Sequence, residues 1–546
     1  ISFYFWASLG KSLSLFLPRF LVKKIIKNPE EMKFLFKKRK EENYIFKKPK
    51  LYFFSAFSFP KTEMEKEIKK GKQILFLVPE KERESFWKEK FLSTFENIIN
   101  ENEICFFSGD ITPKKYIELA KKIIEGKIKI ILGTRSSLFL KFHKLGMIIV
   151  SEEENKNYKS EMEPRFHAVK VAEKLAKMKK IKLILFSFFP SLESYWKSKT
   201  SKYILLKEET KKALPQIKII DMRKFKKDEL LSEELLSQIK NEISQDKKVL
   251  LFLNQLGRGS CLFCQDCGWI KKCENCQISL LGIETKEEIV LFCPKCQKTF
   301  PIPTFCENCR SWRLKFLRKG IENLKKEIKE KIGNVKVEIL SKSSFPPRKK
   351  PEVFFEKFFK NYNILLSTSF IFQYLHLLWQ KFDFVGVVSL DFLLSFPDFK
   401  REEKSGSFLK RLSLFAKEKF YIQTFFPNAH AFLALKDSYE IFFEKEIKER
   451  KKYCYPPFSH LATINFPKTK KGEEKALLFI EKIKSIPLFK KICWQILGPV
   501  VDFSFKKPSL KVVLKLKKRD LYLESKIFSL LPSNVKTDVY PEKLTF

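Results

Sequence analysis

Eight cysteines of this chain fall into four Cys-x-x-Cys pairs: Cys264 with Cys267, Cys273 with Cys276, Cys293 with Cys296 and Cys306 with Cys309. Two residues between thiolates let one tight turn present both sulfurs to a single ion, at about 2.3 Å each. Two such turns complete a tetrahedron, so four turns make two closed four-cysteine sites. A closed site leaves no position for water and is structural rather than catalytic. Zinc is the expected metal, with an iron–sulfur cluster as the rival. Disulfides fit less well, because the chain carries no clear secretion signal and its close pairs suit reduced thiols in a cytoplasm. The spacing does not say which pair joins which. Cys261, three residues before Cys264, could act as a decoy ligand, and the isolated Cys105, Cys454 and Cys493 read as core residues.

The elements that must hold this block alternate in type. From about residue 50, the apolar runs Ile74–Val78, Ile130–Leu132, Met147–Val150 and Leu183–Leu185 read as buried strands, with amphipathic helices such as Tyr116–Glu125 between them. Strand–helix alternation implies a parallel α/β sheet. The pattern restarts beyond a polar stretch near 226, with strands expected at Val249–Leu253, Ile364–Leu366 and Phe384–Val388. The cysteine block interrupts this second series. A third region begins near 426 and contains a possible hairpin or ladder at Lys511–Leu516.

The 546 residues suffice for three or four domains, and a formal net charge of +44 favours polyanions, nucleic acid first and acidic membrane second. Part of that charge can be codon drift in an AT-rich genome, since the chain has 58 Phe against 16 Gly. Residues 1–22 are apolar, but Lys11, Pro18 and Arg19 interrupt them and no small-residue cleavage site follows, so no membrane partner is expected. A cytoplasmic location is expected.

Asn254-Gln-Leu-Gly257, then Cys264-Gln-Asp-Cys-Gly-Trp269 and the three later pairs, resembles the zinc insertion of the bacterial primosomal protein N′ (PriA) family of superfamily 2 DNA helicases. The resemblance extends through Leu77-Val-Pro-Glu80, Gly133-Thr-Arg-Ser-Ser-Leu-Phe139, Tyr158-Lys159, Pro164-Arg-Phe-His167 and Pro190-Ser-Leu-Glu-Ser194. It continues in Pro397-Asp-Phe399, Gln423-Thr424, Tyr455-Pro-Pro-Phe458, Gly498-Pro499 and Asp538-Val-Tyr-Pro541. It implies two RecA-like parallel-sheet lobes, 46–225 and 226–257 with 316–425. It also implies a two-zinc insertion at 258–315 in the second lobe, a C-terminal α/β domain at 426–546 and a remnant of an N-terminal DNA-binding region at 1–45, with 23–50 too short for a winged helix. By the same resemblance Cys264, Cys267, Cys306 and Cys309 hold one zinc, and Cys273, Cys276, Cys293 and Cys296 the other.

The resemblance also sets out the family's ATP and Mg²⁺ motifs, and here they depart from type. A phosphate loop needs slim residues with free N–H groups. The matching segment keeps Lys61 and Thr62 but has Ser55, Ser58 and Pro60 at the glycine positions, with Phe59 between the last two. Proline has no N–H to donate. The acidic box reads Ser151-Glu-Glu-Glu154, so Glu152 and Glu153 are vestigial catalytic candidates and Ser151 replaces a metal-side carboxylate. The coupling motif is Ser187-Phe-Phe189, the motif after the sixth strand is Ser367-Thr-Ser369, and the stretch that should carry two arginines is Leu414-Phe-Ala-Lys-Glu418. Such arginines are worth roughly 10³–10⁵ in rate. The expected function is therefore a PriA-like protein of replication restart or primosome assembly with an inactive motor. Its partners would be branched or single-stranded DNA, with primosome or single-strand-binding proteins as further candidates. Lys271, Lys272, Arg310 and Arg313 are candidate DNA contacts. An active 3′→5′ DNA helicase, a zinc-containing RNA-binding protein and a decaying gene product without a role are the alternatives.

Overall fold

Apolar runs without alternation pack best where a sheet is covered on both faces. In the computed structural model such runs build two fully parallel sheets. The structure describes Ser12, Leu15, Phe16 and residues 48–544, apart from 54–57, 208–214, 226–229, 254–259, 275–278, 285–288, 294–297, 317–320, 343–344, 346–349, 396–397, 437, 503–508, 533–534 and 543. The expectations placed on 1–11 and 17–47, on Ser55, on Asn254–Gly257 and on Pro397 lie outside the described residues.

The first sheet contains β1 (Lys50–Phe53), β2 (Gln73–Leu77), β3 (Ile104–Phe107), β4 (Ile130–Gly133), β5 (Leu145–Ser151), β6 (Lys182–Ser187) and β7 (Ile204–Lys207), in the order β3-β4-β2-β5-β6-β1-β7. Every residue of β2 and of β5 is buried. Crossover helices cover the sheet. The helix Pro113–Ile124 starts where Thr112 caps the N–H of Lys115 and proline occupies a first-turn position that needs no donor.

The second sheet begins with β8 (Gln216–Asp221) and β9 (Val249–Leu253). The chain then builds the cysteine insertion: β10 (Ser260–Cys264), β11 (Leu281–Glu284), β12 (Ile289–Phe292), β13 (Thr299–Phe300) and β14 (Leu314–Phe316), an antiparallel sheet in the order β13-β12-β11-β10-β14. It returns with β15 (Val337–Leu340), β16 (Ile364–Ser367), β17 (Phe382–Ser389) and β18 (Ala416–Thr424), giving the order β15-β16-β9-β17-β18-β8. Strand β8 lies within the span that sequence reading gives to the first lobe. It nevertheless pairs in parallel with β18, from Lys419 opposite Gln216 to Thr424 opposite Asp221. The last sheet is β19 (His460–Pro467), β20 (Cys493–Asp502), β21 (Ser509–Leu516) and β22 (Lys536–Asp538), ordered β20-β21-β19-β22, with β19 and β22 antiparallel. Among the described residues no helix is long and apolar enough to cross a membrane.

The chain divides into two compact bodies. One combines residues 1–211 with most of 450–542, and so holds the first sheet and the last; the other holds the second sheet and the insertion. In the first body a buried ion pair joins segments far apart in sequence: Lys159 Nζ donates to Asp538 Oδ1 at 2.5 Å and to the Arg165 carbonyl at 2.9 Å. Phe458 packs edge-on against Trp196, with ring centroids 5.0 Å apart.

In the second body Asp391 follows β17 and joins it to the end of β18, accepting from Thr424 Oγ1 at 2.5 Å and from the Phe425 N–H at 3.1 Å. Burial pushes its carboxyl up to about 6, from an ordinary 3.8, against those two donors. A carboxyl with a raised folded-state pKa contributes stability that is present below its unfolded value and lost as pH rises through about 6. Asp391→Asn should therefore gain on the parent chain by roughly 2–3 kcal/mol between about pH 4 and pH 7.5, at about 1.4 kcal/mol per pKa unit. Denaturant midpoints across that range check this; a constant difference would contradict it.

Candidate metal centre and the nucleotide-site positions

The two outer cysteine pairs sit on matching turns. In the first, the Cys264 N–H donates to the Trp269 carbonyl at 2.7 Å and the Gly268 N–H to the Cys264 carbonyl at 3.0 Å. In the second, the Cys306 N–H donates to the Ser311 carbonyl at 2.8 Å and the Arg310 N–H to the Cys306 carbonyl at 3.0 Å. The residue after each second cysteine is left-handed: Gly268 at φ 73° and Arg310 at φ 60°. Glycine accepts that conformation freely, and an added Cβ at 268 would also approach the Phe425 carbonyl to 3.3 Å. Asp266 ties the two turns together by accepting from Ser311 Oγ and Arg313 Nη1.

All four sulfurs of Cys264, Cys267, Cys306 and Cys309 lie within 4.8 Å of one another. Cys264 Sγ is 3.6 Å from Cys309 Sγ, and Cys267 Sγ is 3.6 Å from Cys306 Sγ. A tetrahedral zinc with bonds of about 2.3 Å requires sulfur separations of about 3.8 Å, whereas a disulfide needs about 2.0 Å. The donor set therefore fits a four-thiolate ion. Burial opposes ionisation of Cys267, yet donors including the Asn308 side chain and the Trp269 backbone bring its thiol down to about 7. Of the inner pairs, Cys273 and Cys293 are both fully buried in one small apolar cluster with Leu262, Leu280 and Leu291. Cys276 and Cys296 lie outside the described residues. Of the basic candidates, Lys271 is buried and paired with Glu307 and Glu274, and Arg313 is paired with Asp266. Lys272 and Arg310 are exposed.

The nucleotide-site positions gather at the C-terminal ends of the first sheet, where open parallel sheets place ligands. Lys61 and Thr62 open the helix Lys61–Lys69 and are exposed. Its N-cap is Pro60, buried and without a side-chain hydrogen bond, and the Lys61 N–H turns back to the Phe59 carbonyl at 2.8 Å. The Phe59 ring packs edge-on among Trp87, Phe91 and Phe95, with centroids 5.2–6.1 Å away. Ser151 Oγ donates to the Leu77 carbonyl at 2.9 Å.

Of the three carboxylates of the acidic box, Glu152 and Glu153 are buried, and all three are engaged. Glu152, at φ 48°, is ion-paired with Arg83, whose side chain is 1% exposed. Arg83 lies 3.9 Å from Glu80 as well. Glu153 accepts from the Ser191 N–H at 2.6 Å and from Ser191 Oγ and Ser194 Oγ at 3.0 Å, and burial raises its pKa against these donors. Glu154 accepts from Ser187 Oγ at 2.5 Å, so the box and the coupling-motif position touch. Arg83 is the residue that sequence reading missed; its one signal is an arginine three places after Glu80. In the second body Phe415 is buried, Glu418 pairs with Lys247 at 2.7 Å, and Gln423 is fully buried, accepting from the Ser232 N–H and donating to the Leu230 and Val388 carbonyls.

Two parallel α/β sheets in series, the second interrupted by paired cysteine turns, define an α/β protein with two parallel-sheet lobes and a cysteine-rich insertion. No family model matches it. The chain is 30% identical to the replication restart protein PriA of Bacillus subtilis over 452 residues, 80% of this chain and 54% of that protein. It is 29% identical to that of Borreliella burgdorferi over 492 residues, 87% of this chain and 70% of that protein. It thus belongs to the PriA family, while spanning about half the length of the Bacillus relative. Similar solved structures include RecG bound to a three-way DNA junction, at a TM-score of 0.41, 11% identity and 80% of this chain against 49% of that one. Another is the DUF1998 helicase MrfA bound to DNA, at 0.41 and 10% identity, covering 80% and 48%.

The matching turns give a direct test. A β-carbon in the left-handed conformation costs roughly 1 kcal/mol. Arg310→Gly should stabilise the metal-loaded insertion by up to about 1 kcal/mol, and Gly268→Ala should destabilise it by at least as much. Zinc-release midpoints under chelator titration measure both shifts.

Proposed function

We propose that this chain is a zinc-stabilised, DNA-binding protein of replication restart whose helicase architecture no longer turns over ATP. The role comes from the named relatives, and the +44 charge supports a phosphate-rich partner. Branched or single-stranded DNA is the partner, with primosome and single-strand-binding proteins as companions, in the cytoplasm where thiols stay reduced. The observation that carries the loss of turnover is the buried Arg83–Glu152 pair. Mg²⁺ binding needs an ionised carboxylate open to metal and water. Glu152 is neutralised by a guanidinium and Glu153 is spent on the N-terminus of the helix Leu192–Lys199. Pro60 offers no donor to a phosphate, and the stretch where arginines belong holds Phe415 and Glu418. Lys61 and Thr62 remain and would support at most feeble nucleotide binding.

Zinc, when bound, cross-links turns whose own apolar core is small. Cys264, Cys267, Cys306 and Cys309 would hold one ion and Cys273, Cys276, Cys293 and Cys296 a second. Elemental analysis should give two zinc ions per chain, and a chelator should unfold the insertion, because structural zinc supplies folding energy; one ion or none would refute this. In an assay of ATP hydrolysis with and without forked DNA, no stimulated turnover is expected. A rate above about 1 s⁻¹, within the ordinary enzyme range, and abolished by Lys61→Ala, would overturn the inactive-motor reading and favour an active helicase.

A further inference from the structure

The second cysteine turn carries aromatic surface that its own fold does not use. The turn closes where the Cys306 N–H meets the Ser311 carbonyl, and Phe305 and Trp312 are the residues just outside that closure in the chain. Trp312 is 76% exposed and Phe305 53%, with Ile302 close by in sequence at 40%. Single exposed apolar residues are ordinary on a soluble surface. Two large exposed aromatic residues on either side of one turn that a metal would rigidify are a different case, because neither gains burial.

Between them, at the tip, stands Arg310. Its backbone is left-handed and its side chain is exposed. Lys271 and Arg313 are engaged by acids, whereas among the described residues the Arg310 guanidinium has no acidic partner. Exposed rings and an exposed guanidinium on one turn suit an unstacked base and its phosphate: the ring takes the π-face of any base, and arginine takes the anion. Duplex DNA hides its bases from such a tip, so a single strand is the fitting occupant.

We propose that Trp312, assisted by Phe305 and Arg310, is a base-stacking tip that grips single-stranded DNA without regard to sequence. This rests on the DNA-binding reading above and assigns it a place on the chain. The test uses the full chain loaded with zinc, in fluorescence anisotropy at about 50 mM salt. The probes are an oligothymidylate of about 20 nucleotides, the same length of abasic strand and the matching oligouridylate. Trp312→Ala should weaken oligothymidylate binding about 10-fold, leave abasic binding unchanged and leave the zinc content unchanged, while Trp312→Phe stays within about threefold of the parent. Equal oligothymidylate affinity for Trp312→Ala and parent would overturn the tip and leave the DNA reading standing. Equal losses on abasic and thymidylate strands would also overturn it, since stacking needs a base. A parent chain that binds no oligothymidylate would overturn the DNA reading itself, and a clear preference for oligouridylate would move the partner to RNA.

Discussion

A parallel sheet is buried on both faces, and from that constraint the placing of polar chemistry in this protein follows. Strands such as β2 and β5 carry polar side chains only at an end, Gln73 in β2 and Ser151 in β5, so charged and hydroxyl groups collect where the strands begin or end. Ser151, Glu152, Glu153, Glu154 and Ser187 all stand at or just beyond the ends of β5 and β6. A carboxylate there has lost much of its water and must find donors or a cation. Glu153 finds a helix N-cap and Glu152 finds Arg83. Breaking such a buried pair by removing one partner typically costs 3–5 kcal/mol, so the arginine has become part of the scaffold around the box.

The insertion obeys a different rule. Its described buried apolar residues form two small clusters, one of five members of which two are cysteines and one of Phe263 with Ile270, too few to order a small antiparallel sheet by burial alone. Sulfur geometry takes over the role that a core plays elsewhere. The two outer turns repeat one hydrogen-bond pattern, and Asp266 couples them through Ser311 and Arg313. The four sulfurs of these turns gather within 4.8 Å of one another, while Trp312 and Arg310 are exposed on the turn's surface.

The alternation of apolar runs with amphipathic stretches determined, by itself, that the chain has two parallel α/β sheets. The strand expected at Val249–Leu253 has those ends in the structure, and the other expected strands differ by a residue or a few, because a continuous apolar run has little choice but a buried strand. The Cys-x-x-Cys spacing likewise pointed to turns that present paired thiols, since that geometry is local. Strand β8 joined the second sheet through hydrogen bonds that local sequence does not encode. Spacing alone could not pair Cys264 and Cys267 with Cys306 and Cys309, some forty residues away, because pairing is set by how β10 and β14 meet. Nor could it place Arg83 on Glu152, which depends on the loop after β2 lying beside the end of β5. Neighbour-to-neighbour preferences decide which elements form. Which side chains then meet is decided only by tertiary packing, where burial forces each charge to a partner distant in sequence.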